Sequence, residues 1–377
     1  MKCLTSITRT LLLAVALSAH ASLVAFEVDG INYDFVSPLG TEVKVVALQD
    51  IAYSGDVVVP ATVSYESLTY DVVAVGERAF YKCTELNMVV LPHSVTSIGN
   101  YAFYGCKDLV SVSLPEDVRE IGYCAFSGCL SLYDIHLPEK LSVIRTETFK
   151  DCSSLLSIQI PDSVKYIGPM AFKGCSKMES VTLSDDIDSI CSNAFQNCSA
   201  LTSFRFPERT NAVNWEVLSG CTNITEIVIP DSVTIIYPWA FRGCERLRAV
   251  TLGCSLTTLA DGSFNGCTNI QKITSHIEDP FQFQQLAHNY QALQVFPDEV
   301  YEFAQLVVPK GTKEKYQSVY KWNNFKTIVE EDGNADGISQ ATQDSPVTLY
   351  DLQGRRLSGT PARGLYIRDG KKVVARE

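Results

Sequence analysis

The amino-acid sequence predicts an α/β repeat solenoid, an elongated stack of short units around one continuous core. Three observations carry that expectation. The 377 residues are long for a single compact core. Cysteine recurs every 23 residues, at Cys83, Cys106, Cys129, Cys152, Cys175, Cys198, Cys221, Cys244 and Cys267. Three residues before each stands Phe80, Phe103, Phe126, Phe149, Phe172, Phe195, Leu218, Phe241 or Phe264, and three after it Leu86, Leu109, Leu132, Leu155, Met178, Leu201, Ile224, Leu247 or Ile270. Nine units keep this register without an insertion.

One unit reads from Val95 to Pro115. Val95 and Ile98 start a return leg, and Gly99 permits a tight turn. Ala102, Phe103, Cys106 and Leu109 fall at spacings of three and four, which suits a short helical turn with one buried side. Leu109, Val112 and Leu114 then alternate up to Pro115, as a short strand does. No unit can bury its apolar face alone; stacking makes the core. Insertion-free 23-residue units fall in the leucine-rich-repeat window of about 20–29 residues, with a parallel sheet on the concave face. A parallel β-helix is the competing architecture, because Val and Ile at several places also suit strands.

The flanks complete the order of domains. Residues 1–21 read as a signal peptide, with Lys2 and Arg9 before the apolar Leu11–Leu17 and Ala19-His20-Ala21 at the cleavage place. Residues 22–71, rich in Val and Tyr and broken at Asp29-Gly30, Ser54-Gly55 and Pro60, predict a β-rich N-terminal cap over the array of 72–275. The period fails after Ser275, and 276–329 reads as a C-terminal cap with a strand and turn at Val307–Gly311. Residues 330–345 are polar, acidic and Gly-containing, a linker composition. Residues 346–377 alternate again at Val347–Tyr350, Leu365–Ile367 and Val373-Val374, with Asp369-Gly370 as a hairpin signal, and predict a small β-module.

The strings IGNYAFYGCKDLVSVSLP, IGYCAFSGCLSLYDIHLP and IGPMAFKGCSKMESVTL resemble the BspA-like leucine-rich repeats of bacterial surface antigens. The seventh unit departs most, with Leu218 for Phe, Val217 for Ala and Thr210 for Val. The fourth has Arg145 where Gly stands at 99 and 122. Local irregularities are expected at both. The ending, YDLQGRR followed by RGLYIRDGKKVVAR, resembles the C-terminal sorting domains of secreted Bacteroidetes proteins. These resemblances imply a secreted or cell-surface adhesin that binds host matrix or plasma proteins.

Catalytic chemistry is not visible. Nine of the thirteen cysteines form the ladder, an odd number whose stacked, parallel Cβ directions suit disulfides poorly, so buried thiols are expected. Cys124, Cys191 and Cys254 occupy three different places in the unit. No CxxC or His pair supplies tetrahedral metal ligands, and no Gly-rich phosphate loop opens a helix. Cys129 and His136 share a unit without any local signature of a nucleophile and its base. Neither an enzyme nor a cofactor is expected.

Two surface patterns remain. Ser111, Ser113, Asp134, His136, Ser157, Gln159, Ser180, Thr182, Ser203, Arg205 and Glu226 point outward from successive strands and form the candidate binding face. Glu116, Glu139, Asp162, Asp185, Glu208 and Asp231 repeat just after the strand and predict an acidic edge. That edge is either ordinary turn chemistry or a cation or docking strip. A net charge of −12 excludes a nucleic-acid partner. No membrane span is expected, since no segment is apolar over about 18 residues. The partner is a macromolecule, protein first and glycan second, for a chain expected to be a monomer. Self-assembly at a surface is a third class, opposed by like charge along the edge.

Overall fold

The computed structural model describes residues 24–37, 40–48, 52–281 and 294–331, and in the C-terminal segment the backbone of the strands within 349–375. Residues up to 330 form one unit and those from 331 a second. The predicted signal peptide and the linker beyond Glu331 lie outside the described residues.

In each repeat the outward leg gives one short strand and the return leg another, and both kinds stack in parallel. Ser157, Ile158 and Gln159 pair with Ser180, Val181 and Thr182, one period on. On the return side, Tyr166-Ile167 pairs with Ser189-Ile190. The alternation that puts Ile158 and Ile167 inside leaves Ser157, Gln159 and Tyr166 exposed. The leucine-rich-repeat solenoid expected from the period is therefore the fold.

The connecting segment is a run of turns in place of the expected short helical turn. Ala102, Tyr104, Cys106 and Leu109 donate backbone N–H bonds three residues back, to Gly99, Tyr101, Phe103 and Cys106. Tyr101 (φ 57°) and Gly105 (φ 71°) are left-handed, which stops any helix from propagating. The remaining N–H groups leave the unit: Phe103 donates to Ala125 (2.7 Å) and Gly105 to Ser127 (2.8 Å). A helix would satisfy its donors internally; these turns use theirs to tie one unit to the next. Gly99 also has a different reason from the tight turn expected. A Cβ there would lie 2.5 Å from the Glu77 backbone nitrogen, so glycine allows close approach of successive units.

Inside, phenylalanines form a stack. The ring centroids of Phe80, Phe103, Phe126, Phe149, Phe172 and Phe195 stand 4.9–5.4 Å apart with planes within 10°. Beside them each ladder thiol from Cys106 onward donates to a main-chain carbonyl of the preceding unit, Cys106 to Phe80 (2.9 Å) and Cys129 to Phe103 (3.1 Å), through to Cys267 on Phe241 (3.0 Å). All nine ladder cysteines are free and buried, as the sequence implied.

Both expected irregularities are present. The return-leg sheet is interrupted between Ile121 and Val143 and again between Ile190 and Ala212. The outward legs 132–137 and 201–206, which fall within these intervals of the chain, carry no strand. At the first, Arg145 turns outward to Glu120 (2.7 Å) and lies over Tyr123. Cys191, at the same place two units later, keeps its backbone bond to Ile167, so an added Cβ alone does not open the ladder. At the second, Leu218 leaves the stack one ring short. Phe206 fills the space from the opposite leg, edge-on to Phe241 at 6.2 Å and braced by Phe204 at 4.9 Å.

The ends are closed differently. Phe26–Val28 and Ile31–Phe35 form a hairpin at Asp29-Gly30, both residues left-handed as such a turn requires. A second hairpin, Thr62–Tyr65 with Leu68–Val75, lies on the return-leg sheet. At the other end the stack outlasts the sequence period. Gln305–Val308 pairs in parallel with the Lys272 strand, Thr327–Glu330 with Gln305–Val308, and Phe296 stacks on Phe264 at 4.8 Å. Val307-Val308 thus lies in a strand, and another follows it. Short helices Asp298–Phe303 and Lys313–Ser318 and the 3-10 turn Trp322–Asn324 bury Tyr301, Tyr316 and Trp322 at the end of the array. In the second unit, Leu349–Tyr350, Arg356–Leu357, Gly364–Arg368 and Lys371–Ala375 form one antiparallel sheet. The expected hairpin turn Asp369-Gly370 falls outside the described residues.

Candidate functional site

The outward legs place the candidate face where alternation demands. Val112, Ile135, Ile158, Phe204 and Ile227 point inward and are buried. Their neighbours Ser113, Asp134, His136, Ser157, Gln159, Ser180, Thr182, Ser203, Arg205 and Glu226 are exposed, and Ser111 is half-buried. In the regular strands these side chains stand in register, Ser157 beside Ser180 and Gln159 beside Thr182. Asp134, His136, Ser203 and Arg205 lie instead on the two outward legs that lack strand pairing. The charged members other than Glu226 are thus set apart from the Ser/Thr/Gln row.

The face and the acidic edge meet. His136 Nε2 is 3.5 Å from Glu116 Oε1. Arg205 bonds Asp185 at 2.6 Å and Glu208 at 3.3 Å, and its hydrogen bond to Asp185 helps to hold the guanidinium charged. Asp231 accepts the Cys254 backbone N–H at 2.8 Å, a turn-capping contact. Glu139 and Asp162 are exposed. The edge is therefore a mixed-charge margin at Glu116, Asp185 and Glu208.

Reading along the chain overlooked a second set of ion pairs. Lys140 meets Asp117, and Arg209 meets Asp186 at 3.2 Å and Asp188 at 3.2 Å. Lys165 joins Asp186 at 3.3 Å, and its hydrogen bond, followed by that of Arg209, lowers the Asp186 carboxyl below its usual range. Asp117 with Lys140 and Asp186 with Arg209 are opposite charges one period apart, which is the signal that could have revealed them. A further feature is an open polar recess of about 350 Å³ at the C-terminal end, lined by Gln294, Asp298, Tyr301, Glu302, Asn323, Asn324 and Lys326.

Cys129 and His136 do not form a reactive pair. Cys129 is fully buried, whereas the His136 side chain is 72% exposed. Burial pushes the Cys129 and Cys221 thiols up, Cys221 to about 12, so thiolate is scarce there at neutral pH. Cys124 is buried, Cys191 donates to the Tyr166 hydroxyl at 3.0 Å, and Cys254 is exposed. Among the described residues no group of three or more His, Cys, Asp or Glu is placed to hold a metal ion. No described helix is long and apolar enough to cross a membrane.

Short parallel strands on two legs, turns that bond between units and a buried ring stack define a leucine-rich-repeat scaffold. The BspA-type leucine-rich-repeat region is matched over residues 73–201 and 166–287, more than half of the sequence, and the chain belongs to that family. It is similar to a leucine-rich repeat protein from Bacteroides ovatus, with 26% identity and a TM-score of 0.57 over 78% of this chain and 81% of that one. It also resembles the T. pallidum leucine-rich repeat protein, with 32% identity and a TM-score of 0.46 over 53% of this chain and 90% of the other. No curated protein matches it. Proteins of this type are generally non-enzymatic binding scaffolds of bacterial surfaces.

Proposed function

We propose that the protein is an exported, cell-surface adhesin whose outward strand face binds a macromolecule, a host matrix protein before a glycan. In this reading residues 1–21 direct export, the array 72–275 presents the face between caps at 22–71 and 276–329, and 346–377 beyond the linker 330–345 serve sorting or attachment. The observation that carries the reading is the register of outward polar side chains, such as Ser157 and Gln159 over Ser180 and Thr182. They are exposed, contribute little to the core, and form a hydrogen-bonding row. Asp134 and Arg205 supply charged anchors, and His136 a polar one, on the less regular legs. Membership of the BspA-type family supports a binding role and leaves the ligand to experiment.

The test is a titration of the mature protein, as a monomer, against immobilised matrix proteins and a glycan panel. A second sample carries Asp134→Ala, His136→Ala, Gln159→Ala and Arg205→Ala. Saturable binding to a protein, weakened about tenfold or more in the variant, is expected for loss of interface anchors. Binding blocked by simple sugars would replace the protein ligand by a glycan. Concentration-dependent self-association without either ligand would point to a surface-assembly component and overturn the reading.

A further inference from the structure

The turn side of the array carries a second surface, independent of the strand face. A repeat protein supplies its own control for what its fold requires, because equivalent places in successive units share one backbone environment. Two residues before the ladder cysteine stand Tyr81 and Tyr104, yet the same place holds Ser127, Lys150 and Gln196 farther along. Five residues before it stand Arg78 and Tyr101, then Cys124, Glu147 and Asn193, all left-handed with φ between 54° and 60°. Six before it, Tyr123 gives way to Thr146 and Ser192. These places accept almost any side chain. The fold does not ask for the rings that crowd the first units.

Their geometry narrows what they can bind. Tyr81 is 39% exposed and Tyr123 45%. Tyr81 and Tyr104 stack at 5.3 Å, and Tyr101 meets Tyr104 edge-on at 5.8 Å. The Arg78 guanidinium lies 5.8 Å from the Tyr81 centroid and 5.4 Å from that of Tyr101, while Lys82 Nζ is 5.2 Å from Tyr81. Neighbouring rings and cations occupy the ring faces, which is where a sugar would stack. Ring edges and cationic N–H groups are left for a partner, while the Tyr123 hydroxyl accepts from Arg145 at 3.3 Å. Rigid tyrosines with arginine are the composition of protein-binding anchors.

Charge selects the partner further. The chain carries a net −12, yet this cluster presents Arg78 and Lys82; Arg78 makes one loose, exposed ion pair with Glu77 at 4.0 Å. We propose that Arg78, Tyr81, Lys82, Tyr101, Tyr104 and Tyr123 form a docking strip for a carboxylate-rich segment of a partner protein. The cations, held over the rings, donate to the carboxylates, and the tyrosine edges cover the apolar part of the segment.

The test is a random peptide library selected on the full mature protein. The comparison variant is Tyr81→Ser, Tyr104→Ser, Arg78→Asn, which installs residues that the array itself carries at 127 and 193. Lys82→Gly repeats the test without touching the stack, since Gly105 stands at that place one unit on. Enriched peptides should be rich in Asp and Glu, bind more weakly in salt, and lose about tenfold or more in affinity to either variant. Arg205→Ala should bind them as the parent does, separating this strip from the strand face. Selection of peptides without acidic residues, or equal binding by both variants, overturns the proposal, as does displacement by soluble sugars.

Discussion

The units from Phe80 to Phe195 and the unit around Leu218 solve the same packing problem in two ways. In the first, each unit contributes one ring to a continuous stack, and the outward residues of the paired strands are small or neutral. In the second, the ring is missing, Phe206 crosses from the other leg to fill its place, and strand pairing lapses over 201–206. The difference teaches that the core requires aromatic volume in a given space more than Phe at a given position. It also shows where the surface gains individuality. Asp134, His136 and Arg205 all sit on the two legs without strand pairing, whereas paired legs carry Ser157, Gln159, Ser180 and Thr182.

The comparison can be broken from the inside. Phe149→Ala, in the middle of the regular stack, should cost about 3–5 kcal/mol in a urea titration, because rings on both sides lose a partner. Leu218→Phe should lower stability by about 1–3 kcal/mol while Phe206 occupies the space. Combined with Phe206→Leu, it should recover part of that loss, giving a coupling of about 0.5–3 kcal/mol in a double-mutant cycle. Additive effects would mean that the two residues do not share one cavity.

A smaller effect separates the array from its C-terminal end. Asp261 is buried and Lys321 lies 3.8 Å away. Burial outweighs the lysine and raises the Asp261 carboxyl above its usual range. The folded protein therefore holds this proton to higher pH than the unfolded chain does. Its contribution to stability is full below the unfolded aspartate range and declines as pH rises through the raised value. Urea midpoints measured across that acidic window should show this decline, and Asp261→Asn should flatten it. An unchanged slope in the variant would assign the pH dependence to other groups.

Much of the fold was legible because a repeat states its own register. Cys, Phe and Leu at one period located the core, and Arg145 and Leu218 marked the two irregular units. The helical turn was misread because spacings of three and four fit successive turns as well as a helix; the left-handed places are filled by ordinary residues such as Tyr101 and Glu147. A strand at Val307-Val308 was legible, but its pairing with Lys272 across a longer loop than the repeat allows, and the further strand Thr327–Glu330 after what read as the last one, were not. Outward polar residues followed from strand alternation. The contact of Arg205 with Asp185 did not, since it joins different units and depends on side-chain reach.

The central claim is that recognition is anchored on the unpaired legs while the paired strands supply scaffold and complementary contact. The direct measurement is ligand affinity, with melting temperature recorded on the same samples, for Asp134→Ala/His136→Ala and for Ser180→Ala/Thr182→Ala. The account predicts about tenfold or greater loss for the first pair, near-parental affinity for the second, and unchanged melting in both. Equal losses, or a larger loss from Ser180 and Thr182, would contradict it.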